Sequence, residues 1–318
     1  VIDSMNSFIN GIHVDFHELE FSLFNANTLY AVNDGGIYVS HDIGETWTSL
    51  NNGMNVTQYY KLSSSFLNPD LLMGGAQDNG PQLFDGQNWY VLLEADGMSC
   101  SFDKADENIA YASSQDGYVY RSNDGGISFP KLISPGGFQG AWVTPYLANP
   151  LNSRKLFIAD DKIYASFNTG NTWQIISQVL DANFKIISLA QSPADTATLY
   201  AASYRNIFVT HDHGLTWSNI TAGLPASFAF MTDVETSVYD ANTVYVTFSG
   251  FRSGEKVYQT VDGGLTWTNI SGTLPNVPFN TIVIQDNGNS DMYAGCDFGV
   301  FFKNDTMPDW VAFNSNLP

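Results

Sequence analysis

The chain has 318 residues, 44% hydrophobic, 14% aromatic and 14% charged, a balance that supplies a large core and excludes a disordered chain. Twelve Lys and Arg against 32 Asp and Glu give a formal charge of -20 and a pI near 4.2, a field that repels nucleic acid and anionic lipid. No run approaches the roughly 18 consecutive apolar residues of a membrane span, and Cys100 and Cys296 are too few for a disulfide framework and lack metal-ligand spacing.

The predicted elements follow an internal repeat, which decides the fold before any local propensity does. The chain opens on Val without a charged-then-apolar leader and reads as a mature or excised piece of a longer protein, with an extension over residues 1–10. The first unit then has a strand over 18–23 and a pair over 28–32 and 37–40 split by the turn Asn33-Asp34-Gly35-Gly36. Ser40 to Trp47 closes it, reading S-H-D-I-G-E-T-W. The second unit ends in a decayed copy, Asp85-Gly86-Gln87-Asn88-Trp89, and the third in S-N-D-G-G-I-S-F at Ser122 to Phe129. The box returns with Asn168 in the Asp position before Trp173, with Asp212 before Trp217, with Asp262 before Trp267, and decayed at Asn304-Asp305 before Trp310.

Seven such units predict blades over about 11–53, 54–94, 95–136, 137–180, 181–224, 225–274 and 275–318. Each carries a first strand, such as 186–191 or 279–285, then a hairpin, and after the box a short fourth strand such as 217–220. Four antiparallel strands per roughly 45 residues make one propeller blade, since radial repetition buries both faces of small sheets without long open edges. The expected fold is an all-β, seven-bladed β-propeller forming a single domain over 1–318. Trp47, Trp89, Phe129, Trp173, Trp217, Trp267 and Trp310 are expected in equivalent seams. Cys100 falls on the first strand of blade 3 and Cys296 on the second strand of blade 7, so they are expected to remain unpaired.

In each box the Asp accepts bonds from nearby backbone N–H groups and the Gly two residues later takes a positive φ. Asp42, Asp85, Asp124, Asn168, Asp212, Asp262 and Asp305 are therefore read as structural. Side chains spread evenly around a ring do not converge on one substrate.

These boxes resemble the Asp-box, or bacterial neuraminidase, repeat proteins, and the likeness covers essentially the whole chain. That superfamily includes sialidases, xyloglucanase-type glycoside hydrolases, sortilin-like receptors and photosystem-assembly factors, so the resemblance implies a fold more than an activity. The blend of His13-Val14-Asp15-Phe16-His17, Asn33 to Gly36, Gln77-Asp78-Asn79-Gly80, Ala95-Asp96-Gly97 and Trp142-Val143-Thr144-Pro145 resembles repeat regions of secreted Bacteroidota proteins of the type IX pathway. That implies a secreted or cell-surface module with flanking domains. Asp3 to Met5, Asp195 to Ala197 and Asp305 to Met307 are similar to O-glycosylation tripeptides of such proteins. A sialidase needs an arginine triad for a carboxylate, and this chain has only Arg121, Arg154, Arg205 and Arg252 without the family's F/Y-R-I-P sequence. The xyloglucanase type places two carboxylates across a cleft between two propellers, of which one is present.

Resemblance also places ligands at the hairpins between second and third strands and at the blade connections, opposite the boxes. There lie Asp34, Gln77, Asp78, Asn79, Asp116, Asp160, Asp161 and Asp297, with Asp96 in a connection. These acidic turns suit Ca²⁺, sugar hydroxyls or ordinary turn chemistry. His13, Asp15 and His17 alternate on one face if their segment is a strand. They then offer a transition-metal site, a hydrogen-bonded network or a catalytic role, and sit near the Asp34 and Gln77-Asp78-Asn79 turns. Trp142 offers a stacking platform for pyranose rings or a wedge between blades. His41, His211 and His213 occupy variable box slots and are expected at the surface. Two functions stay open: a noncatalytic module binding a glycan or a surface protein, and a carbohydrate-active enzyme or half of one.

Overall fold

A computed structural model describes residues 12–54, 57–93, 95–149, 151–152 and 154–315; the expected extension over 1–10 and the tripeptide at Asp3 lie outside them. The chain divides into two compact units, Val1–Ser134 and Pro135–Pro318. The fold is a seven-bladed β-propeller of four-stranded antiparallel sheets, each running in simple chain order.

The first unit holds three blades. Blade 1 has strands Phe16–Phe21, Leu29–Asn33, Gly36–Ser40 and Thr48–Ser49; blade 2 has Tyr59–Ser64, Leu72–Ala76, Gly80–Phe84 and Trp89–Val91; blade 3 has Cys100–Phe102, Ala110–Ser113, Val119–Ser122 and Lys131–Leu132. The second unit holds four. Blade 4 has Tyr146–Ala148, Leu156–Ala159, Ile163–Ser166 and Gln174–Ile175; blade 5 has Ile186–Gln191, Leu199–Ser203, Ile207–Thr210 and Ser218–Asn219. Blade 6 has Met231–Thr236, Val244–Phe248, Val257–Thr260 and Thr268–Asn269; blade 7 has Phe279–Ile284, Met292–Cys296, Gly299–Lys303 and Val311–Ala312. Cys100 and Cys296 are both free thiols on the strands the repeat predicts.

The box is a side-chain-built turn. Asp212 Oδ1 accepts from the Thr216 backbone N–H at 2.8 Å and from the Thr210 hydroxyl at 2.7 Å, while Oδ2 accepts from the Thr216 hydroxyl at 2.6 Å. Thr210 Oγ1 in turn accepts from the Gly214 N–H at 2.9 Å. The same bonds recur around Asp42, Asp124 and Asp262. Asn168 repeats them with its amide donating to Thr172. In blade 7 the turn bonds fall on Asn304, whose Oδ1 accepts from Thr306 N–H and hydroxyl, so Asn304 and not Asp305 fills the expected role.

The box also makes the seam between neighbouring blades. Trp217 Nε1 donates to the carbonyl of Ile176 at 3.0 Å, Trp267 to Ile220 at 2.8 Å and Trp310 to Ile270 at 2.7 Å. Each acceptor directly follows the fourth strand of the preceding blade. The box glycine lies against the same isoleucine: a Cβ on Gly264 would meet Ile220 Cδ1 at 2.4 Å, and Gly264 sits at φ +90. Two demands, left-handed backbone and close approach, thus exclude any side chain there. The seams are filled by apolar clusters holding Trp217, Trp267 and Trp310. Phe129, which has no N–H to donate, is buried in the cluster of blades 2 and 3.

Trp89 departs from the shared slot. Trp89 stands four positions after Asp85 where the aromatic of the other six boxes stands five after the Asp or Asn, so the turn tightens and Trp89 enters the fourth strand, paired with Phe84. It lies exposed against Phe84 and Tyr59 of its own blade. Asp85 instead accepts from the N–H groups of Gln87 and Asn88.

Hydrogen bonds hold the carboxyls of Asp42, Asp124, Asp212 and Asp262 at about 2, below their ordinary value near 3.8. The stabilisation is full above about pH 4 and is lost as pH falls through 2. Thermal melts of Asp212→Ala should show a lower midpoint at pH 7 and a shallower decline between pH 4 and pH 2, whereas Asp212→Asn, the solution blade 4 uses, should melt close to the parent. Equal melting of all three proteins would contradict the structural role of the box.

Candidate functional site in blades 1 and 2

Some of the side chains singled out in the sequence, His13, His17, Asp34, Asp78 and Asp96, gather in the first unit through a bend, a bulge and two hairpins. Asp15 has φ +60, so the segment turns at Val14-Asp15 and the first strand begins only at Phe16. This overturns the expected alternation of His13, Asp15 and His17 on one strand face. His13 is buried, with Nε2 on the Asp78 carbonyl at 2.8 Å and Nδ1 on that of Val14 at 2.9 Å. Its own carbonyl accepts from Asn33 Nδ2 at 2.7 Å. It thereby staples the start of blade 1 to the hairpin of blade 2. Asp15 is exposed. A metal site on these three residues does not form: both His13 nitrogens face backbone carbonyls, and no group of three His, Cys, Asp or Glu among the described residues is placed to hold an ion.

His17 reaches the site by a different device. The ladder of blade 1 shifts register between Phe16 and Glu18, and a bulge of this kind re-aims the extra side chain. His17 Nε2 donates to Asp34 Oδ1 at 2.5 Å, with the imidazole 61% exposed. Blade 2 repeats the bulge between Tyr59 and Lys61, and the Tyr60 hydroxyl donates to Gln77 Oε1. Blade 7 repeats it between Phe279 and Thr281, and Asn280 Nδ2 donates to Asp297 at 2.9 Å. All three pairs are 17 residues apart, a constant interval that the sequence displays and the motif reading missed.

The hairpin of blade 2 carries the sharpest electrostatics. Asp78 takes φ +59, a conformation Asp and Asn tolerate better than other non-glycine residues, and its N–H donates to Asp96 Oδ1 at 3.0 Å. Partial burial raises the Asp78 carboxyl to about 6; the charge of Asp34 and the hydrogen bond and charge of Asp96 add to the rise, and His13 opposes it. Three acids thus share one end of two blades with His17, Gln77 and Asn79, which matches the expected convergence of the His13 segment with the Asp34 and Gln77-Asp78-Asn79 turns. Such a group accepts several hydroxyl donors, and one of its members keeps a proton into the mildly acidic range.

The other expected ligand residues have surroundings of their own. Asp116 sits in a one-turn 3-10 segment of blade 3 at φ +59. Asp160 is buried and committed to the Lys162 N–H and the Tyr164 hydroxyl, while Asp161 pairs with Lys162 Nζ at 3.0 Å. Asp297 is exposed and holds Asn280. Trp142 is 47% exposed, so it is no buried wedge. His41, His211 and His213 are exposed, as expected.

Comparison with known proteins agrees with this architecture. The Sortilin-Vps10 family (Sortilin, neurotensin receptor 3) matches residues 161–295. A xyloglucanase of Hypocrea jecorina (strain QM6a) is 27% identical over 231 residues, 67% of this chain and 26% of that protein. The chain thus spans about a quarter of the length of this curated relative. An ancestral GH74 enzyme superposes with a TM-score of 0.56 at 14% identity, covering 94% of this chain and 38% of the other. YCF48 bound to D1 peptide superposes with a TM-score of 0.57 at 13% identity, covering 91% of each chain. The two structures share the propeller fold of this chain. Among the described residues, no helix is long and apolar enough to cross a membrane.

Because the folded state holds the Asp78 proton more tightly than the unfolded chain does, this group favours folding at low pH, and its contribution is lost as pH rises from about 4 through 6. Asp78→Asn should therefore raise stability at pH 7 by about 1 kcal/mol, a full shift of this size being discounted for solvent screening, and leave it unchanged at pH 3.5. Calorimetric melts at the two pH values check this; a variant less stable at pH 7 would contradict it.

Proposed function

We propose that this chain is a polysaccharide-binding propeller module of a larger secreted protein, taking its ligand at the hairpin-and-connection end of blades 1 and 2. The observation that carries the reading is the convergence there of Asp34, Asp78 and Asp96 with His17, Gln77 and Asn79. Carboxylate oxygens accept charge-assisted bonds from sugar hydroxyls, and amides fill the remaining donor and acceptor positions. The match to a xyloglucanase supports a β-glucan as the ligand class, and the small share of that protein covered supports flanking domains. A surface protein is the other partner this reading admits.

A second reading rests on Asp78. An acid that holds its proton to about 6 beside other carboxylates has the property a general acid in glycoside hydrolysis needs, with a partner carboxylate activating water. In that reading the chain supplies one wall of a cleft.

Titration calorimetry with xyloglucan oligosaccharides tests both. Asp34→Ala and Asp96→Ala should each weaken binding about tenfold, the loss of roughly one charge-assisted bond, while Asp212→Ala at a box turn should leave affinity unchanged. Failure of the parent protein to bind any β-glucan removes the first reading. Release of reducing ends at pH 5 that Asp78→Asn abolishes would establish the second.

A further inference from the structure

Blades 5 and 6 of the second unit carry a cluster of different chemistry at the same end of the blade. The hairpin between the second and third strands of blade 5 presents Tyr204 and Arg205. The connection to blade 6 presents Phe228 and Phe230, and the hairpin of blade 6, which runs over eight residues, 249–256, presents Phe251 and Arg252. The Arg205 guanidinium lies 4.2 Å from the Phe230 ring centre and donates through Nη1 to the Ala226 carbonyl at 2.5 Å. Arg252 lies 3.9 Å from the centre of Phe228. Tyr204 meets Phe230 edge-on at 5.5 Å. Tyr204, Phe228 and Phe230 are nearly half exposed, and Phe251 is 72% exposed.

Charge makes this cluster unusual. Acids outnumber Lys and Arg 32 to 12 in the chain, yet Arg205 and Arg252 face aromatic rings and, for Arg205, a backbone carbonyl. Among the described residues, neither arginine forms a close ion pair with a carboxylate. The acids of the same segments are committed elsewhere: Asp181 accepts from Ser203, Asn206 and two backbone N–H groups, and Glu255 accepts from the Tyr258 hydroxyl. Stacking on aromatic rings fixes each guanidinium plane and leaves N–H edges free for a planar anion. Exposed rings beside them suit the C–H faces of pyranoses.

We infer that this end of blades 5 and 6 is a second binding surface, for a largely neutral polysaccharide bearing sparse uronate branches, whose carboxylates pair with Arg205 and Arg252 while sugar rings stack on Tyr204 and Phe251. Sparse charge is required because a densely anionic polymer meets the overall charge of -20. The inference rests on the polysaccharide-binding reading but concerns other residues and another ligand group.

Affinity electrophoresis through glucuronoxylan, through the same polymer after carboxyl reduction, and through neutral xyloglucan tests it. The parent protein should be retarded about tenfold more strongly by glucuronoxylan than by its reduced form. Arg205→Gln with Arg252→Gln should abolish that difference and leave xyloglucan retardation intact. Equal retardation by the two glucuronoxylans overturns the inference without any variant, so misfolding of the double variant does not shield it, and Arg252→Gln alone, at an exposed residue, gives a milder test. An oligoglutamate peptide that competes as well as glucuronoxylan also overturns it, in favour of an acidic protein partner. Loss of xyloglucan binding in Asp34→Ala bears on the first reading alone.

Discussion

The bond from a box tryptophan to the carbonyl that ends the neighbouring blade's fourth strand organises the described seams of the second unit. One indole N–H satisfies a backbone acceptor just past the sheet, where the ladder offers no partner. The indole body fills the apolar cluster beside it. For this geometry the chain must turn sharply between third and fourth strands, which the Asp carboxylate arranges by collecting Ser or Thr hydroxyl and backbone donors. The glycine must let the facing isoleucine approach. Asp, Gly and Trp are thus three parts of one joint, seen whole at Trp217 and Trp267.

That division of labour leaves the other end of each blade free. The hairpins between second and third strands lack the repeated box bonds and hold their neighbours differently, His13 on the Asp78 carbonyl and the Met231 N–H on the Tyr204 carbonyl, so their residues vary from blade to blade: Asp34, Gln77 to Asn79, Tyr204 with Arg205, and Asp297. The bulge in the first strand exploits this freedom, turning one side chain toward its own hairpin in blades 1, 2 and 7. Chemistry at this end is therefore separable from stability at the box end. Blades 1 and 2 gather carboxylates and amides, while blades 5 and 6 gather aromatic rings and guanidinium groups.

The blade count, the strand order and the box bonds could be read from the sequence because turn chemistry is local and repeats. Where the repeat was cut, as in the shortened box before Trp89, equating residues by type misplaced a side chain that spacing alone would have flagged. Asp305 was misread for a related reason, since its neighbour Asn304 supplies the same oxygen one residue earlier. The His13 segment was legible as a place but not as a conformation: local sequence announces neither the positive φ at Asp15 nor the bond from His13 to the Asp78 carbonyl 65 residues away. Arg205 and Phe230, or Phe228 and Arg252, come from loops about 25 residues apart without any motif. Only the folded loops bring them together.

Hydrogen exchange of the protein with and without saturating xyloglucan oligosaccharide tests the central claim, that ligand and architecture occupy opposite ends of the blade. The account predicts protection confined to peptides covering residues 13–17, 33–36, 76–80 and 95–97, with box peptides such as 40–47 and 210–217 unchanged. Protection concentrated in the box turns, with the hairpins exchanging as before, would contradict it.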